Sequence, residues 1–353
     1  MTIDNKKIGE IGETHVIQLI EMLILERTDK KLLRDDSFYY EVIKPRRGKN
    51  AVPLTLCLNS DMLVSTTDVP EQMSYRQIGR KSVVMNISDL VVKGVKPQGI
   101  IISFGVPASL NIAEFKSIVN GIIDVCLQFE MEYIGGDVNE SKDVIINPTV
   151  FGFQERNLII HRSGIRTGDL LVANGVFGLT GVGFDILLNR TSKGENPFQK
   201  FKKYKTSINS VLSPQIGLEG TIVAEKEFAH ASIDSSDGLV KSLEELKRSN
   251  PGLGFEIEQN ESLIHEEALR YSKEFDVPVE KLIFSGGGEE YIHLFVMTEE
   301  SYQKAQELFK SQKGALHRIG RVINEEGIYG VQKSKRIKLE GMGYEHFSSD
   351  LDS

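Results

Sequence analysis

Cysteine is scarce in this 353-residue chain, where Cys57 and Cys126 are the only two. Each sits in an apolar run, so two buried thiols in a reducing cytoplasm are expected rather than a disulfide, and two are too few for a structural zinc site. Long apolar runs are absent as well. No stretch reaches 18 residues, so no transmembrane helix is expected, and the polar, charged segment from Met1 to Glu10 lacks the apolar region of a signal peptide. Positive charge is in deficit: 42 Lys and Arg stand against 50 Asp and Glu, a net charge of −8. That balance argues against a general nucleic-acid binder. The basic cluster Lys44, Arg46, Arg47 and Lys49 reads as a solvated loop rather than a polyanion site. The common catalytic signatures are missing too. There is no G-x-x-x-x-G-K-[ST] loop, no G-x-G-x-x-G after a strand, no G-x-S-x-G and no H-E-x-x-H. His15, His230 and His265 are scattered over helical or loop segments and read as surface residues. Any nucleotide site must therefore be built from metals and Gly-rich turns.

What the chain does have is enough apolar content for sizeable cores, 40% by composition, at a length that suggests two domains. Ile8, Ile11, Leu19, Ile20, Leu23 and Ile24 recur at helical spacing. Leu54 to Leu58 and Met62 to Thr66 read as strands joined by the turn Asn59-Ser60-Asp61. A helix is expected from Tyr75 to Val92, ended by Gly94 and Pro97. Gly99 to Val106 and Val144 to Phe153 read as strands. Between them, Ile112, Phe115, Val119, Ile122, Cys126 and Phe129 mark one face of a helix. A polar turn at Gln154 to Asn157 places a boundary. Beyond it come a buried strand at Leu170 to Ala173, a Gly-rich segment from Gly175 to Gly183 and a polar surface loop from Thr191 to Lys205. A helix through Leu239, Leu243 and Leu246, a strand from Tyr291 to Met297 and a helix from Tyr302 to Lys310 follow. The fold class is α/β, with α+β layers, in two domains: residues 1–155, residues 156–347, and a tail at 348–353.

Six motifs place a carboxylate at the end of an apolar element or beside small residues. They are Asp35-Asp36, Thr66-Thr67-Asp68, Ser88-Asp89, Gly135-Gly136-Asp137, Asp234-Ser235-Ser236-Asp237-Gly238 and Gly286-Gly287-Gly288-Glu289-Glu290. Each has a structural alternative: a helix cap at Asp36, a water-facing pair at Ser88-Asp89, a tight turn at Gly135, an N-cap at Asp234. Magnesium takes oxygen ligands and commonly one or two carboxylates with phosphate oxygens. Carboxylates drawn together without a cation repel. Convergence of the six would therefore imply a metal–phosphate site.

These motifs, with Ile78-Gly79-Arg80-Lys81, Asn86-Ile87, Arg162-Ser163-Gly164, Gly168-Asp169 and the closing Gly343-Tyr344-Glu345-His346-Phe347, recur in this order in the thiamine-monophosphate kinase family, which the chain resembles over residues 8 to 347. The resemblance implies a dimerising N-terminal domain and transfer of the ATP γ-phosphoryl to thiamine monophosphate, giving thiamine diphosphate. It implies several magnesium ions held by Asp36, Thr66, Thr67, Asp68, Asp89, Asp137, Asp234 and Asp237. Asp89, Asp137 and Asp237 are the carboxylates expected to carry catalysis. Gly136, Arg162 and Ser236 resemble ATP contacts, and Glu289 and Phe347 resemble substrate contacts. Tyr344 is expected to pack beside Phe347 on the thiamine rings. The chain departs from the family in having no His after Asp68 and in reading Glu289-Glu290-Tyr291 where Glu-Asp-Tyr is usual. The alternatives are a related ATP-dependent synthetase with another acceptor, as in aminoimidazole ribonucleotide synthetase, or a catalytically silent nucleotide-binding protein.

Overall fold

Alternation of half-buried and buried residues over most of Ile145–Glu155 marks a strand with one face in a core and one outside. That strand is the middle of a first sheet in the computed structural model, which describes residues 12–29, 31, 35–42, 54–258, 260–285, 288–312, 314–332 and 335–339. Its strands are β1 (Phe38–Glu41), β2 (Leu54–Asn59), β3 (Leu63–Val64), β4 (Gly99–Val106), β5 (Glu132–Glu140) and β6 (Ile145–Glu155). They pair in the order β1-β2-β6-β4-β5, with β3 beside β6. All pairs are antiparallel except β4–β5, which the Ile112–Gln128 helix connects as a crossover unit. Cys57, Ile100, Ile102, Ile146 and Val150 on the inner face pack with Ile78, Val83, Ile87, Ile118 and Ile122 of the two long helices.

The opposite face is apolar and, among the described residues, half-buried to exposed. Phe38 and Tyr40 pair with Leu58 and Leu56, Leu56 with Phe153, and Leu58 with Phe151, so cross-strand pairing puts them on one side. Tyr40 is 69% exposed and Phe38 55%.

The Tyr75–Val92 helix begins at a capping box, Ser74 with Gln77. It stops at Gly94, whose φ is +83° and where an added Cβ would come within 2.2 Å of Ala224 Cβ, so there is no room for a side chain.

The second sheet contains β7 (Leu170–Ala173), β8 (Ala231–Ser235), β9 (Gly254–Glu258), β10 (Ile292–Met297), β11 (His317–Ile323), β12 (Ile328–Gln332) and β13 (Lys335–Lys338), in the order β13-β12-β9-β11-β7-β10-β8. Only β9–β12 is parallel. All six residues of β10 are buried. Leu294 and Val296 join one core and Phe295 and Met297 another, so helices cover both faces. The arrangement is the two-domain α/β plan expected.

Two local expectations are corrected, at Met62 to Thr66 and at Thr191 to Lys205. The strand read from Met62 to Thr66 is only Leu63–Val64, because Asp68 Oδ2 accepts the Val64 N–H at 2.6 Å and curls Ser65–Asp68 into a helical turn. The Gly-rich segment opens a helix at Leu179–Phe184. The segment from Thr191 to Lys205 is anchored rather than a free surface loop: Pro197, Phe201 and Tyr204 are buried, and the Tyr204 ring lies 5.0 Å from that of Tyr271. Both cysteines are buried free thiols, pushed by burial up to about 12 for Cys57 and about 11 for Cys126. Among the described residues no helix is long and apolar enough to cross a membrane.

Candidate functional site

The Tyr75–Val92 helix buries polar residues in its last turns, and buried polar groups require partners. Asn86 Oδ1 accepts the Asp61 N–H at 2.7 Å, and Asn86 Nδ2 donates to the Asp61 carbonyl at 3.0 Å. Ser88 Oγ donates to Asp234 Oδ2 at 2.6 Å, across the junction between the two domains. Asp89 Oδ2 accepts from Asn59 Nδ2 at 2.9 Å, and the same amide donates to the Asp36 carbonyl at 3.0 Å. The helix thereby gathers carboxylates from distant segments. Asp36, Asp89 and Asp234 each present an oxygen within 4.8 Å of the other two. Asp61 adds a fourth carboxylate, hydrogen-bonded to Asp89.

Cations brace one side of this centre. Lys93, wholly buried just past the helix end, reaches Asp35 Oδ1 at 2.8 Å and Asp36 Oδ2 at 2.5 Å, and donates to the Ser232 carbonyl at 2.5 Å. Arg162 bonds Asp36 Oδ1 through two nitrogens and approaches Glu245 at 3.5 Å. His161 Nδ1 lies 3.0 Å from Asp35 Oδ2. Burial would push the Asp35 carboxyl up, but Lys93 and His161 hold it well below the usual carboxylate range. On the other side Ser88 and Arg162 offset burial at Asp234 only in part. Burial, then the neighbouring Asp234, Asp61 and Asp36, push Asp89 well above that range. Burial and Asp36 push Asp234 up to about 7. Five carboxylates thus meet two permanent cations, Lys93 and Arg162. An all-oxygen set with surplus negative charge fits a hard divalent cation such as magnesium.

The remaining expected site residues are not among the three clustered carboxylates. Thr66 and Thr67 are exposed on the turn before Asp68, whose carboxylate is turned back on Val64. Asp237 is exposed two residues beyond the end of β8. Ser236 is half-buried, and its carbonyl accepts the Glu289 N–H at 2.5 Å. Gly136, at φ +155°, would drive a Cβ to 1.7 Å from the Ile102 carbonyl, so the backbone itself requires glycine there. Asp137 is exposed on β5, three strand spacings from Asn59, or roughly 14 Å sideways. Among the described residues no hydrogen bond or ion pair joins it to the three clustered carboxylates. Tyr344 and Phe347 lie outside the described residues.

Glu289 and Glu290 diverge. Glu289 Oε1 meets Lys81 Nζ at 2.6 Å. Glu290 Oε1 accepts the Gly178 N–H at 2.7 Å where the Leu179–Phe184 helix begins, and burial pushes its carboxyl up to about 8. The second acid is therefore a buried anchor for that turn. Tyr291 is buried, and burial, then Glu289, Asp234, Asp61 and Asp89, push its phenol well above the usual range.

Sequence reading missed Asp61, Lys93 and His161, and gave no role to Lys81 or Tyr291 within the motifs that contain them. Asp61 sat inside an expected turn. Tyr291, though part of a recognised motif, was read only as the start of a strand.

Comparison with known proteins agrees with this arrangement in two steps. The pattern of the AIR synthase related protein N-terminal domain matches residues 48–154, and the two-sheet architecture with its acidic centre at the junction is of that class. The chain belongs, more narrowly, to the thiamine-monophosphate kinase family. The thiamine-monophosphate kinase of Nitrosopumilus maritimus (strain SCM1) is 31% identical over 330 residues, covering 94% of this chain and 99% of the relative. That of Aquifex aeolicus (strain VF5) is 27% identical over 342 residues, covering 97% and 100%. The solved structure of AaThiL complexed with AMPPCP and TMP superimposes with a TM-score of 0.79 at 25% identity, covering 97% of this chain and 99% of that one.

Proposed function

We propose that the chain is a kinase that transfers the γ-phosphoryl group of ATP directly to the phosphate of thiamine monophosphate, giving thiamine diphosphate. The observation that carries this reading is the convergence of Asp36, Asp89 and Asp234, from three distant segments, on one point between the domains. Family membership supplies the substrates: the relatives bear the name thiamine-monophosphate kinase, and AaThiL was solved with AMPPCP, an ATP analogue, and TMP.

Phosphoryl transfer asks a protein chiefly for alignment and charge neutralisation. Asp36, Asp89 and Asp234 would hold magnesium, with Asp61 beside them. Bound magnesium supplies positive charge against the phosphate oxygens. Lys93 and Arg162 fix Asp35 and Asp36, so the ligand oxygens are set before the nucleotide arrives. Glu289 would face the cationic acceptor from the second domain. Thr66, Thr67, Asp68, Asp137 and Asp237 remain proposed ligands, and Gly136, Arg162 and Ser236 proposed ATP contacts.

We further read the working form as a homodimer, joined through the outer apolar face of the first sheet. A face bearing Phe38, Tyr40, Leu54, Ile101 and Phe153 is one a monomer rarely leaves in water. A second copy on that face would also offer its own Asp137. Incubation with ATP, magnesium and thiamine monophosphate tests the activity; sedimentation tests the assembly.

A further inference from the structure

Lys81 closes the Ile78-Gly79-Arg80-Lys81 motif without having been given a role, and it does not touch the clustered carboxylates of the metal centre. It lies in the interior of the Tyr75–Val92 helix, and its side chain is 1% exposed. An ammonium taken out of water costs several kcal/mol unless its protons find strong acceptors. Two are found, in different domains. Lys81 Nζ donates to the main-chain carbonyl of Asp68, closing the Thr66–Asp68 turn onto the helix. It also meets Glu289 Oε1 of the second domain at 2.6 Å. Glu289 is held on a tense piece of backbone. Its φ is +58° and that of Tyr291 is +50°, both in the left-handed region, which is costly for residues with side chains. Such a conformation persists only where the surroundings fix it. The Ser236 carbonyl and Lys81 are the two groups seen to hold Glu289, one at its main chain and one at its carboxylate. Among the described residues no hydrogen bond takes the other carboxylate oxygen, Oε2, and 27% of the Glu289 side chain is accessible.

We propose that Lys81 is a positioning residue for the acceptor: it fixes Glu289 by one oxygen, leaves the second oxygen to meet a cationic or N–H-bearing acceptor, and ties that carboxylate to the Thr66–Asp68 turn of the first domain. The inference rests on the kinase reading above. Lys81 acts through Glu289 and does not itself touch the reacting atoms. A purely structural lysine at this place would affect stability and both substrates alike. A positioning lysine affects the acceptor selectively.

The test is a kinetic cycle on the full chain with Lys81→Met, Glu289→Gln and the double variant, measuring KM separately for thiamine monophosphate and ATP. Lys81→Met is expected to raise KM for thiamine monophosphate about tenfold, the scale of one charge-assisted contact, with a clearly smaller rise in KM for ATP through the Thr66–Asp68 turn that Lys81 also holds. In KM for thiamine monophosphate the double variant is expected to match Glu289→Gln alone. Effects of the two substitutions that multiply, or equal rises in KM for both substrates, would overturn the proposal. Should Lys81→Met fail to fold, Lys81→Gln keeps a donor for the Asp68 carbonyl and removes the charge that faces Glu289; the same selective rise is expected, and an unchanged KM overturns the proposal. A wild-type chain that forms no thiamine diphosphate overturns the kinase reading and this inference with it. A fully active wild type with unselective variants overturns this inference alone.

Discussion

Ser88 of the first domain donates its hydroxyl hydrogen to Asp234 of the second across 2.6 Å, with both residues buried. The bond orients one of the three clustered carboxylates from the opposite domain. Ser88→Ala leaves a buried carboxylate short of a donor, a loss of about 1–3 kcal/mol. The expected outcome is a lower unfolding midpoint in denaturant and a higher magnesium requirement for turnover. An unchanged magnesium dependence would show that Asp234 needs no help in facing the centre.

Asp89→Asn keeps the shape of the centre and removes one charge from it. Loss of one transition-state stabiliser typically costs about 3–4 kcal/mol, so turnover is expected to fall roughly a hundredfold or more, with the fold retained by circular dichroism. Asp137→Asn is expected to lower turnover as well, although Asp137 stands apart from the cluster in its own chain. Near-normal turnover of Asp89→Asn at saturating magnesium would remove Asp89 from the ligand set.

Stability should depend on pH in a direction set by the crowded acids. Asp234, raised to about 7, and Glu290, raised to about 8, bind protons more tightly folded than unfolded. Their contribution is full below the ordinary carboxylate range and is lost as pH rises through those values. In chelator, the thermal midpoint should therefore fall between pH 5 and pH 8 as far as these groups govern it. Magnesium should recover much of the loss at pH 8, because a cation replaces the proton at Asp234 but not at Glu290. A midpoint that magnesium leaves unmoved at pH 8 would contradict the metal assignment.

The outer face of the first sheet should bring two copies together. Sedimentation at micromolar protein is expected to give a dimer, and Phe153→Asp, on an exposed position that need not disturb the core, is expected to give a folded monomer. A wild-type chain that stays monomeric across the dilution series would refute the interface.

Much of this was legible in the sequence, for physical reasons that differ by residue. The Tyr75–Val92 helix was readable because its stop is chemical: Gly94 takes a conformation that other residues resist. Asp36, Asp89 and Asp234 each had a structural alternative when read singly; the recurrence of six such motifs made a shared centre readable. Lys93 was not. A lysine just before a helix-ending glycine usually serves the helix dipole from solvent, and nothing local says that this one turns inward to two aspartates and the Ser232 carbonyl. Lys81 was hidden for a similar reason: its partners, Asp68 and Glu289, are 13 and 208 residues away. Likewise the role of Glu290 depends on the Gly178 N–H, which only the folded chain brings within reach.

The most direct measurement is to incubate the purified chain with ATP, magnesium and thiamine monophosphate and to follow both ADP and thiamine diphosphate by chromatography. Equimolar formation of the two, abolished by chelator and reduced severely by Asp89→Asn, is the expected result. ATP turnover without thiamine diphosphate, or no turnover with a folded, magnesium-loaded protein, would contradict the proposed function.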